Sequence, residues 1–154
     1  MVASPFLDTS VLLSGLIDMG PDGAAAQQLW DRVADGRVHG ACTAWHCCLE
    51  FFAVATRLPG ELRLPRRDAL RLLEEEILAR LHLHDLPANA RAGFLRTVEF
   101  DQVSGGRIYD AHISEIARVS GVRIVVTGNR RHFASLLRHG IRVVSAEEYV
   151  AELR

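Results

Sequence analysis

Three carboxylates stand apart from the other acids of this 154-residue chain. Asp8 closes the apolar run of SPFLDTSVLLSG. Glu50 sits inside the apolar segment HCCLEFFAVATRL, and Asp110 opens the helical stretch YDAHISEIARVSG on its small, apolar face. Most of the other acids, Glu74 to Glu76 and Glu147 among them, fall on faces that read as solvated. Each of the three also has an ordinary reading. Asp is a preferred helix N-cap, Glu50 can share an exposed stripe with Arg57, and a carboxylate in a helix's first turn suits the dipole. Their sharper reading is joint. Clustered carboxylates repel, and a hard divalent cation is the usual means of keeping them ionised together. Ligands that are all oxygen select Mg²⁺ or Mn²⁺ over zinc. Mg²⁺ binds through one or two carboxylates plus substrate phosphates, which suits phosphodiester hydrolysis.

These residues need a scaffold that brings distant segments to one edge. Residues 3–8 read as a short buried strand, followed by helices at about 9–17 and 22–35 that Pro21, Asp22 and Gly23 separate. Residues 37–42 predict a second strand, with Thr43 capping a helix that runs to about Arg57. An amphipathic helix spans 66–80. LHLHDLP (81–87) predicts a third strand, and a helix follows at about 88–98. Residues 107–121 predict a helix stopped by Gly121, and 122–127 a β-branched strand. A helix at about 130–138, a strand at 141–145 and the helix AEEYVAEL complete the chain. Alternating strands and helices predict an α/β fold whose parallel sheet is covered on both faces. In such sheets ligands collect beyond the carboxyl ends of the strands, where the strand order reverses. Asp8 lies at a strand's carboxyl end.

Length and composition fit one domain over residues 1–154, with a 49% apolar content and 24% charged residues. A net charge of −1 gives no global attraction to nucleic acid, so such a partner must meet a local patch. All 18 basic residues are Arg, the planar bidentate phosphate donor. Between Glu115 and Glu147 there are six of them and no acid, and Arg130 and Arg131 follow the 122–127 strand, which makes them candidates for substrate phosphates. Cys42, Cys47 and Cys48 lack the paired spacing of a zinc site and read as small buried hydrophobes. Neither a secretory leader nor an apolar segment long enough to span a membrane is present, so a reducing cytoplasm is the expected compartment.

FLDTSVLL, CLEFFAVATRL, GGRIYDAHISEIARVSG and IVVTGNRRHF, in this order and spacing, resemble PIN-domain ribonucleases, specifically the VapC toxins of bacterial toxin–antitoxin pairs. The resemblance covers essentially the whole chain. It implies an α/β/α sandwich with a central parallel sheet and an acidic Mg²⁺ or Mn²⁺ site. It also implies cleavage of RNA, commonly tRNA or rRNA, homodimerisation, and a cognate VapB-type antitoxin that occupies a groove. Asp8, Glu50 and Asp110 match three family acids. The chain departs from the pattern at the fourth, where Asn129 and His132 stand in the places that carry an acid in many members. Asn129 offers a neutral oxygen, so a one-metal site completed by substrate phosphate is expected. Asp8 and Asp110 then hold the ion, and Glu50 completes the site or orients the attacking water. Thr9, Ser10 and Thr127 are candidates to steady carboxylates or phosphate, with cap or strand-end roles as the alternative. A phosphatase with an aspartyl nucleophile is rejected, because Ser10 stands where that pattern needs a second Asp. The remaining rival is a catalytically silent PIN-fold module that binds RNA or protein.

Overall fold

The computed structural model describes residues 2–154. Five short strands, β1 (Pro5–Leu7), β2 (Cys42–Ala44), β3 (His82–His84), β4 (Ile124–Val126) and β5 (Arg142–Val144), form one parallel sheet in the order β3-β2-β1-β4-β5. The chain builds outward from β1 to one edge, then returns to lay β4 on the other side of β1. The strand order therefore reverses between β1 and β4, where Phe6 pairs with Val125 and Leu7 with Val126. β1, β2 and β4 are buried along their whole length, as strands covered on both faces must be. β3 is an edge strand, and His82 and Leu83 are exposed.

The helices are α1 (Thr9–Leu16), α2 (Ala24–Ala34), α3 (Trp45–Ala55), α4 (Arg66–Leu72), α5 (Arg91–Phe100), α6 (Arg107–Val119) and α7 (Ala146–Glu152), with a 3₁₀ segment at Arg130–His139. Contacts sort them into two groups. α2 packs on α1 and α7, and α3 on α1 and α4, whereas α6 packs on α5 and on the 3₁₀ segment. Right-handed crossovers place these groups on opposite faces of the sheet. The result is an α/β/α sandwich, with Phe6, Leu12, Leu29 and Phe51 among its fully buried side chains, together with Ile113, Ile124 and Phe133. No helix among the described residues is long and apolar enough to cross a membrane.

Several elements differ from the sequence expectation. The second strand is Cys42–Ala44 rather than 37–42, because Gly36 and Gly40 both take left-handed backbone (φ 73° and 69°) and turn the chain there. Thr43 is consequently a strand residue. Its hydroxyl donates to the Leu7 carbonyl at 2.7 Å, and α3 starts without a side-chain cap. The helix expected over 66–80 is α-helical only to Leu72 and widens into a π-helix at Leu73–Leu78. The helix expected at 130–138 is 3₁₀ throughout and ends on Gly140, at φ 74°.

The π-helix is tied to α2 by Glu76. Its Oε2 accepts from Trp30 Nε1 at 3.1 Å and from Arg80 Nε at 2.8 Å. Partial burial alone would raise this carboxyl, but the hydrogen bonds from Arg80 and Trp30 and the Arg80 charge outweigh it and hold it below its usual value. A depressed folded-state value contributes stability above the unfolded pKa and loses it as pH falls through the folded one. Glu76→Gln is therefore expected to cost about 1 kcal/mol at pH 7, a size limited by solvent screening. Urea melts should show that cost shrinking below pH 4; a pH-independent cost would assign it to packing.

Candidate active site

Asp8 sits where β1 ends and α1 begins, beside the point at which the strand order reverses. Its backbone begins the helix: the carbonyl accepts from Val11 N at 3.0 Å and Leu12 N at 3.1 Å. Its side chain does not cap it. Instead Oδ2 accepts from Thr127 Oγ1 at 2.8 Å, across to the end of β4, and from Ser10 Oγ at 2.9 Å. Both hydroxyls are oriented by their own acceptor contacts. Thr127 Oγ1 takes the Asn129 amide at 3.0 Å and Ser10 Oγ the Gly128 amide at 3.0 Å, so each hydroxyl proton is left to point at Asp8. The N-cap reading thus holds for the backbone and fails for the carboxylate.

Asp8 is only 4% exposed, and no Arg or His side chain pairs with it among the described residues. Burial pushes its carboxyl up, and the nearby Glu50 charge adds to that. Hydrogen bonds from Thr127, Ser10 and the Thr9 backbone act in the opposite direction without overcoming it. A buried carboxylate whose partners are all neutral is a site short of positive charge.

Glu50 reaches the same region from α3. Its Oε1 accepts from Thr9 Oγ1 at 2.7 Å, so adjacent α1 residues, Thr9 and Ser10, each hold one carboxylate. His46, one turn earlier, places Nε2 3.9 Å from Glu50 Oε2. Between these groups Cys47 is buried, and desolvation with the Asp8 charge raises its thiol to about 12. Cys42 is likewise pushed up to about 12 and Cys48 to about 11 by burial, so all are held as inert thiols.

Asp110 lies in the first turn of α6 and is held differently. Its Oδ2 pairs with His132 Nδ1 at 2.9 Å, and a third of the side chain remains exposed. A second imidazole contact lies nearby: His46 Nδ1 and His112 Nδ1 are 2.7 Å apart, a distance that requires a proton on only one of the two Nδ1 atoms. Desolvation, then the neighbouring His46, lowers the His112 pKa. These histidines were legible only as i, i+4 to Glu50 and i+2 from Asp110, spacings too common to single them out. Asn129 is exposed and enters the network through its backbone amide. Arg130 pairs with Glu148, while Arg131 makes no ion pair with the described residues.

The carboxylate and hydroxyl oxygens of Asp8, Glu50, Thr9 and Ser10 fit a hard divalent cation, which needs no more than two carboxylates when water and phosphate complete its shell. Among the described residues no three His, Cys, Asp or Glu side chains are gathered tightly enough to hold one ion. Asp110 in particular is engaged by His132.

Fold and site together define an α/β/α protein with an acidic centre at the carboxyl edge of its sheet. Residues 5–131 match the PIN domain family. Over 91% of its length the chain is 30% identical to Ribonuclease VapC27 of Mycobacterium tuberculosis, covering 95% of that protein. The chain belongs to the PIN-domain family, among its VapC-type ribonucleases. Solved structures with the same fold include DNA-bound VapBC from Salmonella typhimurium, at a TM-score of 0.64 and 21% identity over 94% of this chain and 99% of that one. PAE2754 from Pyrobaculum aerophilum superposes with a TM-score of 0.62 and 19% identity, covering 99% of this chain and 98% of that one.

Proposed function

We propose that this chain is a Mg²⁺- or Mn²⁺-dependent endoribonuclease and the toxin of a type II toxin–antitoxin pair. It hydrolyses phosphodiester bonds in RNA, tRNA or rRNA being the expected class, and inhibits translation until a VapB-type antitoxin neutralises it. It acts as a cytoplasmic homodimer. The observation that carries the reading is the buried Asp8 carboxylate at the strand-order reversal, supported by neutral donors alone. Its membership of a family with a 30% identical ribonuclease supports the reaction class. The likeness of its fold to the toxin-containing VapBC assembly supports the antitoxin partner.

Asp8 would hold the cation together with Asp110 once Asp110 has left His132, with Glu50 as the third carboxylate. Bound there, the cation supplies Lewis-acid polarisation of the phosphodiester and acidifies the attacking water. Glu50, fixed by the Thr9 hydroxyl, orients that water and takes its proton. Ser10 and Thr127 both donate to Oδ2 of Asp8 and so fix the orientation of its carboxylate. Arg131 and Arg130 bind substrate phosphates, Arg130 on leaving its surface pair with Glu148.

One observation favours the rival, a catalytically silent module that binds RNA or protein: Asp110 is occupied by His132, and Asn129 adds no charge. Purified protein incubated with total RNA decides between them. Cleavage with Mn²⁺ that disappears in EDTA is expected; binding without cleavage under any divalent cation would establish the rival.

A further inference from the structure

Beside the acidic centre, between α5, α6 and the 3₁₀ segment, lies a cavity of about 390 Å³. Asp110 and His132 form its border with the site described above. Most of the charge on its walls is already paired: Arg118 with Glu115, Arg138 with Asp101, and His132 with Asp110. Two cations are left over. Arg107 and Arg131 both line the cavity and neither makes an ion pair with the described residues. The pocket thus carries a net positive charge next to a centre that is net negative.

A second observation is independent of charge. Ser114 lines the same cavity, is 95% buried (5% exposed), and its Oγ is the one buried side-chain polar atom without a hydrogen-bond partner among the described residues. Buried hydroxyls nearly always find partners, in the protein or in ordered water, so an orphan beside a cavity is a group that something entering it can satisfy. The wall also has an apolar part in Phe94 and Val98. Cations, one buried hydroxyl and an apolar face in a space of this size match a single nucleotide, with its phosphate, its polar edges and its base.

We infer that this cavity is a subsite for one nucleotide of the RNA flanking the cleaved bond, with its phosphate held by Arg107 and Arg131 and a polar group met by Ser114. The inference rests on the ribonuclease reading and names where that substrate is gripped. Phosphate neutralised by guanidinium supplies affinity, and a buried hydroxyl that must be satisfied supplies discrimination among bases. The register is set by Asp110, whose helix α6 presents the catalytic carboxylate in its first turn and Ser114 one turn later.

The test uses the whole chain in EDTA, titrated calorimetrically with each nucleoside 5′-monophosphate, with the unphosphorylated nucleosides and with inorganic phosphate. Monophosphates are expected to bind and to differ among bases, nucleosides to bind far more weakly. Arg107→Gln/Arg131→Gln, changes at exposed positions, should weaken monophosphate binding at least about tenfold, the worth of charge-assisted hydrogen bonds. Ser114→Ala should cost about fivefold, with the ranking among bases flattened. In the Mn²⁺ assay the same monophosphate should inhibit RNA cleavage competitively, and the double variant should raise KM for RNA. Equal binding by inorganic phosphate, unchanged binding in the double variant, or non-competitive inhibition would each overturn the subsite. Failure of the ribonuclease reading shows separately, as no cleavage by the wild type whatever the monophosphates do; monophosphate binding that persisted would then belong to a free nucleotide, and the RNA subsite would be refuted.

Discussion

Asp8→Asn is expected to lower RNA cleavage by at least about 10³-fold, some 4 kcal/mol of transition-state stabilisation, while raising the thermal stability of the cation-free protein. Both effects follow from one carboxylate. In the folded chain Asp8 is buried against neutral donors, and desolvation raises its pKa above the ordinary value. A raised folded-state value means stability that is present at low pH and lost as pH rises through that value. Without a cation the ionised side chain therefore costs stability at neutral pH. Asparagine keeps the shape and the oxygen that accepts from Ser10 and Thr127, and removes the charge. The variant's advantage in EDTA melts should be larger at pH 7.5 than at pH 5. Added Mn²⁺ should reverse the order. A ligand at a hundred times its Kd stabilises a fold by about 2.7 kcal/mol, roughly 5–10 °C for a chain of this size. Wild type should gain that shift and Asp8→Asn should not. A folded variant that still cleaves RNA, or that Mn²⁺ stabilises as much as wild type, would remove Asp8 from the site.

The elements were legible because the chain alternates β-branched or apolar triplets with amphipathic stretches, and a parallel sheet buried on both faces leaves little room for other assignments. β4 at Ile124–Val126 and α6 at Arg107–Val119 fall inside the ranges expected for them. What failed was positional. Thr43 has the right type for an N-cap, yet the register of β2 with β1 puts its hydroxyl on the Leu7 carbonyl, a contact set by residues 36 positions away. The 3₁₀ winding of Arg130–His139 is likewise a tertiary outcome, forced by fitting a short connection against both α6 and β5. For the site, residue types and spacing pointed to Asp8 and Glu50. The hydroxyl partners Ser10 and Thr127 become visible as a pair only once β1 and β4 are adjacent. His132 on Asp110 could not be read from sequence at all, since 22 positions separate them and no periodicity links the two segments.

Glu50→Gln provides the sharper test of whether the buried Asp8 and the half-exposed Glu50 form one site. Glu50 is fixed by Thr9 Oγ1 and its charge is felt by Asp8, although one comes from the middle of α3 and the other from the start of α1. An amide can still accept from Thr9, so the fold should tolerate the change; what it loses is the negative charge and the capacity to take a proton from water. Cleavage is expected to fall about 10²- to 10³-fold, the range for removing one preorganised charge or proton acceptor from an active centre. Burial remains the main cause that raises the Asp8 carboxyl, and relief of the smaller repulsion from Glu50 should at the same time lower it slightly. The decisive measurement is the double variant. Groups that serve one ion and one water act as a unit, so their effects do not add. Asp8→Asn/Glu50→Gln should cleave no more slowly than Asp8→Asn alone, within about twofold. If instead the two losses multiplied, Glu50 would be acting at a point independent of Asp8, and the shared centre at the strand-order reversal would have to be divided into two.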